Sequence, residues 1–379
     1  MFPRFHFLLL ASVMLLPGCA SAQAEDTHPR KFSAPLEGLT PLQLAQFERG
    51  KSKFSRQFTP RTGLGPLFND NSCRACHGQG GSGGPSERTV RLAGAMINGG
   101  PSLLEDQGGP AIQDFAIAGC KIEQVPVQAT ALGVRISPPI WGAGLVEAVP
   151  EHDLLAQMGP SKEKFELGIR GIANWQKGKI GRFGWKAQKP DMKQFTEQAY
   201  DWEMGISTPD RGLEQVPNHA PVKVTKADIS QDELLDVVFY QRYLDAPPRG
   251  AISNEVRHGE DVFKGTGCVY CHNPELTTGA NSIGIPVGRT LHPYSDFLLH
   301  VMDEDLADQM VQDAATGQMW RTAPLWGLRN RKKFMHDGRA TDLDDAIVMH
   351  GGEAEKVRMK YVALGREEKE AIKTFLSSL

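Results

Sequence analysis

Two runs of this sequence place two cysteines and a histidine at the same spacing. Both read Cys-x-x-Cys-His, at residues 73–77 and 268–272. Cysteines three apart lie on one side of a helical turn. There they can form thioethers to both vinyl groups of one porphyrin, and the next histidine then reaches the iron as proximal ligand. The spacing predicts two covalent haem c groups, held by Cys73, Cys76 and His77 in the first run and by Cys268, Cys271 and His272 in the second.

Chance and rival chemistries explain these runs poorly. The residue frequencies of this chain give on the order of a few in a thousand for one such run, so two by chance are negligible. A zinc site or a redox dithiol would also use Cys-x-x-Cys. Neither explains why a histidine follows both pairs.

The elements around the two runs form an internal repeat. Helical segments containing Gly50–Phe54 and Gly259–Phe263 precede the first and second run, and Phe68 and Phe263 each stand five residues ahead of a first cysteine. Downstream, residues 138–142 echo residues 323–327, so that Trp141 and Trp326 occupy equivalent positions. Each half closes with an amphipathic helix, at residues 232–240 and 367–379.

This pattern predicts a mostly α fold of two tandem cytochrome-c-like helical domains, each with one covalent haem. The first domain spans residues 40–245 and is enlarged by insertions, including residues 168–210. The second spans residues 250–379, and the proline-containing stretch 245–250 breaks the helix between them. A glycine-rich stretch at 78–84 is expected to be a loop that lets backbone approach the haem edge.

Composition fits a globular chain of two domains. The 379 residues are 40% hydrophobic and 23% charged, with a net charge of −3. The near-neutral charge argues against a nucleic-acid partner. Forty glycines and 25 prolines predict much loop. Cys120 lies outside both runs, and we expect a small buried core residue there.

The first 22 residues are typical of an export signal. Arg4 is followed by an apolar segment, residues 7–16, that is too short to span a bilayer. Residues 16–19 resemble a lipobox, which would make Cys19 a lipid-anchored first residue, and cleavage after Ala22 is the alternative. Either route predicts a periplasmic protein, and the lipobox predicts one anchored to the outer membrane.

With both runs in place, the chain resembles the bacterial di-haem cytochrome c peroxidases and their methylamine-utilisation relatives. It is more similar still to a subgroup named the di-haem oxidoreductases, also called thiol oxidoreductases, over nearly the whole mature chain. The segments that carry this resemblance are residues 63–69, 144–148, 181–187, 204–206, 291–296, 336–341 and 350–354.

The resemblance implies ligands and roles. In the related enzymes the distal ligand of the second haem stands fourteen residues after a His-Asp-Gly histidine, here His336, which leads to His350. Its neighbour Met349 is the alternative ligand. No histidine stands at a clear distal position in the first half, so the first haem is expected to have an open or loosely held face.

Peroxide cleavage at an open iron needs an acid–base group. Glu147, in an apolar run, is the first candidate and Glu151, which aligns with His336 across the repeat, is the second; a surface carboxylate is the alternative for Glu147. His292 and His300, eight apart, are expected on one helical face, lining the second haem pocket or buried in the core. His336 has either an electron-transfer or propionate role or a structural role in a turn.

These expectations converge on a peroxidase-type oxidoreductase. Electrons from a small redox protein, of cytochrome c or cupredoxin type, would enter at the C-terminal haem, and peroxide would react at the N-terminal haem. The alternatives are a non-catalytic electron-transfer cytochrome and an oxidase of a partner protein's side chain. Calcium between the domains, as in the peroxidases, is disfavoured by the basic stretch 330–333.

Overall fold

The computed structural model describes residues 32–379. The export signal and Cys19 lie outside these residues. The described residues are 34% helical and 17% strand, so their fold is mixed rather than mostly α. Among the described residues, no helix has the length and apolar character needed to cross a bilayer.

Helices precede and follow each attachment run and close each half of the chain. They are α1 (Pro41–Ser55), α2 (Cys73–Cys76), α3 (Ala143–Glu147), α4 (Glu151–Ala156), α5 (Lys162–Leu167), α6 (Met192–Met204), α7 (Gln231–Tyr243), α8 (Asn254–Thr266), α9 (Leu343–Val348), α10 (Glu355–Ala363) and α11 (Arg366–Leu376).

The strands are short, apart from β2 and β6. They are β1 (Leu67–Phe68), β2 (Thr89–Ile97), β3 (Gly100–Ser102), β4 (Ala111–Ile112), β5 (Phe115–Ala116), β6 (Ala131–Ile136), β7 (Trp175–Gln176), β8 (Lys179–Ile180), β9 (Leu213–Val216), β10 (His219–Lys223), β11 (Leu276–Thr277), β12 (Thr290–Leu291), β13 (Leu299–Val301) and β14 (Met319–Arg321).

The departure from a helical fold comes largely from material added to the first half. β2 pairs antiparallel with β3, β4 and β6. In β6, Ala131, Gly133 and Arg135 are buried while the residues between them are exposed, as a half-buried strand requires. Because these strands lie between the first run and α3, they do not disturb the helices that flank the runs.

Two helix pairs repeat the same crossing. A Cβ on Gly50 of α1 would lie 2.0 Å from the carbonyl oxygen of Asp236 in α7. A Cβ on Gly259 of α8 would lie 1.9 Å from the carbonyl oxygen of Ala371 in α11. Only glycine lets the two backbones approach this closely. In each half, the opening helix packs on the closing helix of the same half, as the sequence repeat predicts.

A phenylalanine of each opening helix contacts the histidine of the run that follows. The ring centres of Phe54 and His77 lie 6.2 Å apart, as do those of Phe263 and His272. Phe54 is therefore the structural counterpart of Phe263. The expected equivalence of Phe68 was wrong, because Phe68 lies in β1 and stacks on Phe115.

Trp141 and Trp326 meet in one hydrophobic core. A Cβ on Gly327 would lie 2.8 Å from the Trp141 ring, and one on Gly142 would lie 2.6 Å from the Trp326 ring. Each tryptophan thus packs on the glycine that follows the other. This reciprocal contact joins the two halves and gives both tryptophans a packing role.

Candidate haem-binding sites

The second Cys-x-x-Cys-His run begins where α8 ends. Gly267 takes a left-handed conformation with φ +105° and stops the helix, so Cys268 follows at once. The backbone N–H of His272 donates to the carbonyl of Cys268 at 2.9 Å, which closes a tight turn. The Nδ1 atom of His272 lies 2.9 Å from the carbonyl oxygen of Tyr294. This hydrogen bond fixes the proton on Nδ1 and leaves Nε2 free to bind a metal.

His350 lies across the same cavity from His272. It follows α9, which Asp342 caps, and its Nδ1 lies 2.7 Å from the carbonyl oxygen of Ala346. Both histidines line the cavity, and their ring centres are 6.4 Å apart. Two imidazoles bound through Nε2 to one metal at about 2 Å would place their ring centres about 6 Å apart. The spacing therefore suits one iron between the two rings.

Burial also keeps these rings in the form that binds metal. It lowers the pKa of His272 to about 4 and lowers the pKa of His350. Neutral imidazole is the ligating form. Met349 does not line the cavity, so the geometry favours His350 over its neighbour.

The charges in the cavity suit an anionic ligand. Arg321 and Arg331 line it together, and burial lowers the pKa of each to about 10. The Nε of Arg331 is buried and has no hydrogen-bond partner among the described residues, whereas its Nη2 donates to the carbonyl of Pro324 at 2.8 Å. A buried cation without a partner is costly. Haem propionates would supply the missing charge, and Phe263, Leu325 and Leu328 offer an apolar wall to the porphyrin.

The first run is built in the same way. Ser72 caps the short helix α2, and the backbone N–H of His77 donates to the carbonyl of Cys73 at 3.0 Å. The Nδ1 of His77 lies 3.4 Å from the carbonyl oxygen of Gly84. The glycine-rich loop thus supplies the acceptor that orients His77. From the sequence, this loop was expected only to let backbone approach the haem edge.

The cysteines of both runs are poor thiolates as they stand. Burial raises the pKa of Cys73, Cys76 and Cys268 to about 12 and raises that of Cys271. Metal binding and dithiol exchange both need the thiolate. An uncharged thioether suits these buried positions better, in agreement with haem attachment.

The first half contributes no evident second histidine. Between residues 32 and 245 the histidines other than His77 are His152 and His219, and both are exposed. Within the described part of the chain, no group of three His, Cys, Asp or Glu side chains could hold a metal ion. Among the described residues, the two attachment runs therefore differ in the histidines that could reach a haem bound to them.

The two glutamates proposed for acid–base chemistry have structural partners. Glu147 is nearly buried, and its two oxygens accept from the guanidinium of Arg242 at 2.6 and 2.9 Å. Glu151 accepts from the backbone N–H of Ile180 at 2.9 Å. Their catalytic role stays a prediction.

Sequence reasoning missed Glu203, at the end of α6. Its carboxylate accepts from the side chain of Asn69 at 2.8 Å. Burial raises its pKa to about 7, and the charge of nearby Asp114 adds to the rise. Its field also acts on Cys76. No local motif marks Glu203, because the chain brings it to Cys76 from 127 positions away.

The remaining histidines divide between surface and interior. The expected helical face of His292 and His300 was wrong, because the segment forms β12 and β13 around an irregular stretch. His292 is exposed, whereas His300 is buried and lines the second cavity. His336 also lines that cavity, where its ring stacks on Trp320 at 3.6 Å. Cys120 was expected in the core but is exposed, since it lies in a surface turn.

The two attachment runs and the opposed histidines are typical of a haem protein. The profile of a family described as "Di-haem oxidoreductase, putative peroxidase" matches residues 121–379, more than half of the chain. The chain belongs to this di-haem oxidoreductase family. It is therefore an oxidoreductase with haem as its cofactor.

Other comparisons add less. No curated protein matches the chain. Among solved structures, Kuenenia stuttgartiensis hydrazine synthase is 13% identical with a TM-score of 0.42, covering 100% of this chain and 99% of that one. A MauG-like protein associated with microbial copper homeostasis is 14% identical with a TM-score of 0.43, covering 94% of each chain. Both likenesses are weak.

Proposed function

We propose that the protein is an exported di-haem c-type oxidoreductase of peroxidase type. Cys73 and Cys76 would attach one haem and Cys268 and Cys271 the other, in two cytochrome-c-like domains at residues 40–245 and 250–379. The observation that carries the proposal is the contrast between the sites. The second has two opposed imidazoles, His272 and His350, with ring centres 6.4 Å apart. Among described residues 32–245, His77 is the one histidine that is not exposed.

The paired helices support the domain assignment. α1 with α7 and α8 with α11 cross at Gly50 and Gly259, and each pair brings a phenylalanine onto the histidine of its run. Each attachment run thus has its own pair of opening and closing helices. This arrangement is what two copies of one haem-binding unit require.

When bound, the haems supply one-electron transfer and, where a coordination position is free, a binding site for peroxide. His272 and His350 would close the second site against small ligands, which suits it to receive and pass on electrons. His77 would leave one face of the first site open. Reduction of one peroxide to two waters uses two electrons, supplied by a small redox protein, and two protons.

The chain must deliver those protons near the first site. Glu147 and Glu151 remain candidates, and Glu203 joins them. The Glu203 carboxyl has a pKa of about 7, lies near Cys76 and accepts from the neutral amide of Asn69, so it can bind and release a proton near neutral pH. The Glu147 carboxylate is instead held by Arg242.

The location follows from the signal and the cofactor. We propose a periplasmic protein, anchored to the outer membrane if Cys19 is lipidated and free if cleavage follows Ala22. Both residues lie outside the described part of the chain. Covalent haem c is attached after export, which agrees with either route.

A peroxide titration of the purified di-haem protein tests the function. Absorption and electron paramagnetic resonance spectra are recorded at each addition. We expect a high-spin ferric component that disappears with peroxide and electrons drawn from a reduced small cytochrome. Two purely low-spin haems that do not react with peroxide would favour the alternative, a non-catalytic electron-transfer cytochrome.

A further inference from the structure

His300 is held between two carboxylates beside the second attachment run. Its Nε2 lies 2.9 Å from Asp296 Oδ2 and its Nδ1 lies 2.8 Å from Glu353 Oε2. The three side chains are 5%, 1% and 10% exposed. Because ionised carboxylates only accept hydrogen bonds, both ring nitrogens must donate. His300 is therefore an imidazolium that donates one hydrogen bond to Asp296 and one to Glu353.

Glu353 accepts four hydrogen bonds, one of them from His300. Oε2 also accepts from the backbone N–H groups of Arg170 and Gly171 at 2.9 and 3.2 Å, and Oε1 accepts from Val301 N–H at 3.1 Å. Burial alone would raise its pKa, but these bonds, led by that from His300, hold it at about 2. A carboxylate so placed is a strong, charge-assisted anchor.

Glu353 anchors the short loop that follows His350. A Cβ on Gly351 would overlap Asp303, and one on Gly352 would lie 2.3 Å from the carbonyl oxygen of Val301. The backbone N–H of Gly352 donates to Asp303 at 2.7 Å. The loop at 351–353 therefore lies directly on β13, with Glu353 as its buried attachment.

Asp296 and His300 both contact Cys271 of the attachment run. The backbone N–H of Asp296 donates to the carbonyl of Cys271 at 2.9 Å, and His300 Nδ1 lies 3.6 Å from the sulfur of Cys271. The Asp296–His300–Glu353 cluster thus contacts the run that contains His272 and the loop that follows His350. It spans the two sides of the second haem site.

We propose that Asp296, His300 and Glu353 form a latch that holds His350 in position as the distal ligand of the second haem. The inference rests on the proposed assignment of His350 as that ligand. The latch residues are positioning residues, because they act on the iron through His350 and Cys271. Their work is to keep the second site closed to small ligands, so that peroxide chemistry stays at the first.

The test removes the charge of Glu353 without changing its size. Glu353→Gln is compared with wild type and with Glu355→Gln, a matched change at a half-exposed carboxylate that pairs with Arg358 on α10. The readouts are the low-spin ferric signal of the second haem and the rate at which carbon monoxide binds it after reduction. We expect Glu353→Gln to raise that rate about tenfold or more, the effect of weakening one charge-assisted bond.

A low-spin signal and a binding rate that match those of Glu355→Gln would overturn the latch. Should Glu353→Gln fail to accumulate with both haems, His300→Gln gives the same readouts, since its amide can keep one of the two hydrogen bonds. The variant His350→Ala separates the two claims. If it opens the site and Glu353→Gln does not, the latch alone is wrong; if it leaves the second haem unchanged, the ligand assignment is wrong.

Discussion

His272 and His350 face each other across one cavity, and the Nδ1 of each ring donates to a backbone carbonyl. The two acceptors, Tyr294 and Ala346, lie in different segments of the chain. Side chains that come from opposite sides and share this tautomer are arranged for one metal between them. Under the proposed function, this pair would close the second site and leave the first for the reaction with peroxide.

Replacing Arg331 by Met should lower the reduction potential of the second haem by tens of millivolts. A buried positive charge near the cofactor stabilises the reduced form, and the unpaired Nε of Arg331 marks it as a partner for a propionate. A spectroelectrochemical titration measures the shift. Arg257→Met, at an exposed position on α8, is the control. Equal reduction potentials in the two variants would show that Arg331 does not interact with the second haem.

Glu147→Gln separates a structural from a catalytic role. The change leaves Arg242 without its anionic partner, so we expect the free energy of unfolding to fall by about 3 kcal/mol. Peroxide reduction by the folded variant should stay within a few-fold of wild type, because Arg242 already occupies the carboxylate. Denaturant unfolding and steady-state kinetics measure the two effects. A rate lower by about 10²–10⁴ would instead make Glu147 the proton donor.

Glu203 should make stability depend on pH. Its folded pKa of about 7 lies above the ordinary value of 4.5, so between these values the folded state holds a proton that the unfolded state has lost. The free energy of unfolding therefore decreases as pH rises through this window, by at most about 3 kcal/mol from this group. Unfolding curves at several pH values should show a shallower slope for Glu203→Gln. Identical slopes would refute the raised pKa.

Gly259→Ala tests the helix crossing. The new methyl would lie 1.9 Å from the carbonyl oxygen of Ala371, so we expect a loss of about 1–3 kcal/mol in unfolding free energy. Gly265→Ala lies in the same helix with open space around it and should instead stabilise by about 1 kcal/mol. Thermal unfolding of both variants decides the matter. Two variants with the same effect would contradict the close approach of α8 and α11.

The local motifs predicted the parts of the site that depend on chain neighbours. The two runs, the opening and closing helices and the paired tryptophans all follow from spacing, and His350 followed from family resemblance. In the structure His350 lies across the cavity from His272, and its role as a haem ligand stays a prediction. The family match confirms the recognition of a di-haem oxidoreductase.

Contacts between distant parts of the chain were beyond the sequence. Arg242 reaches Glu147 from 95 positions away, and Glu353 reaches His300 from 53. Most of the strand residues that make the fold mixed lie in the first half, at residues 67–223, where short alternating runs such as β6 carry little signal. His300 was placed on a helix because spacing alone cannot tell a helical face from two short strands.

The central claim is that the two haem sites are unequal, and the electron paramagnetic resonance spectrum of the ferric protein tests it most directly. We predict one high-spin signal from the first haem and one low-spin signal from a haem with two imidazoles. In His350→Ala the low-spin signal should be lost, while Met349→Ala should keep it. A low-spin signal that survives in His350→Ala, or two low-spin haems in the wild type, would contradict the account.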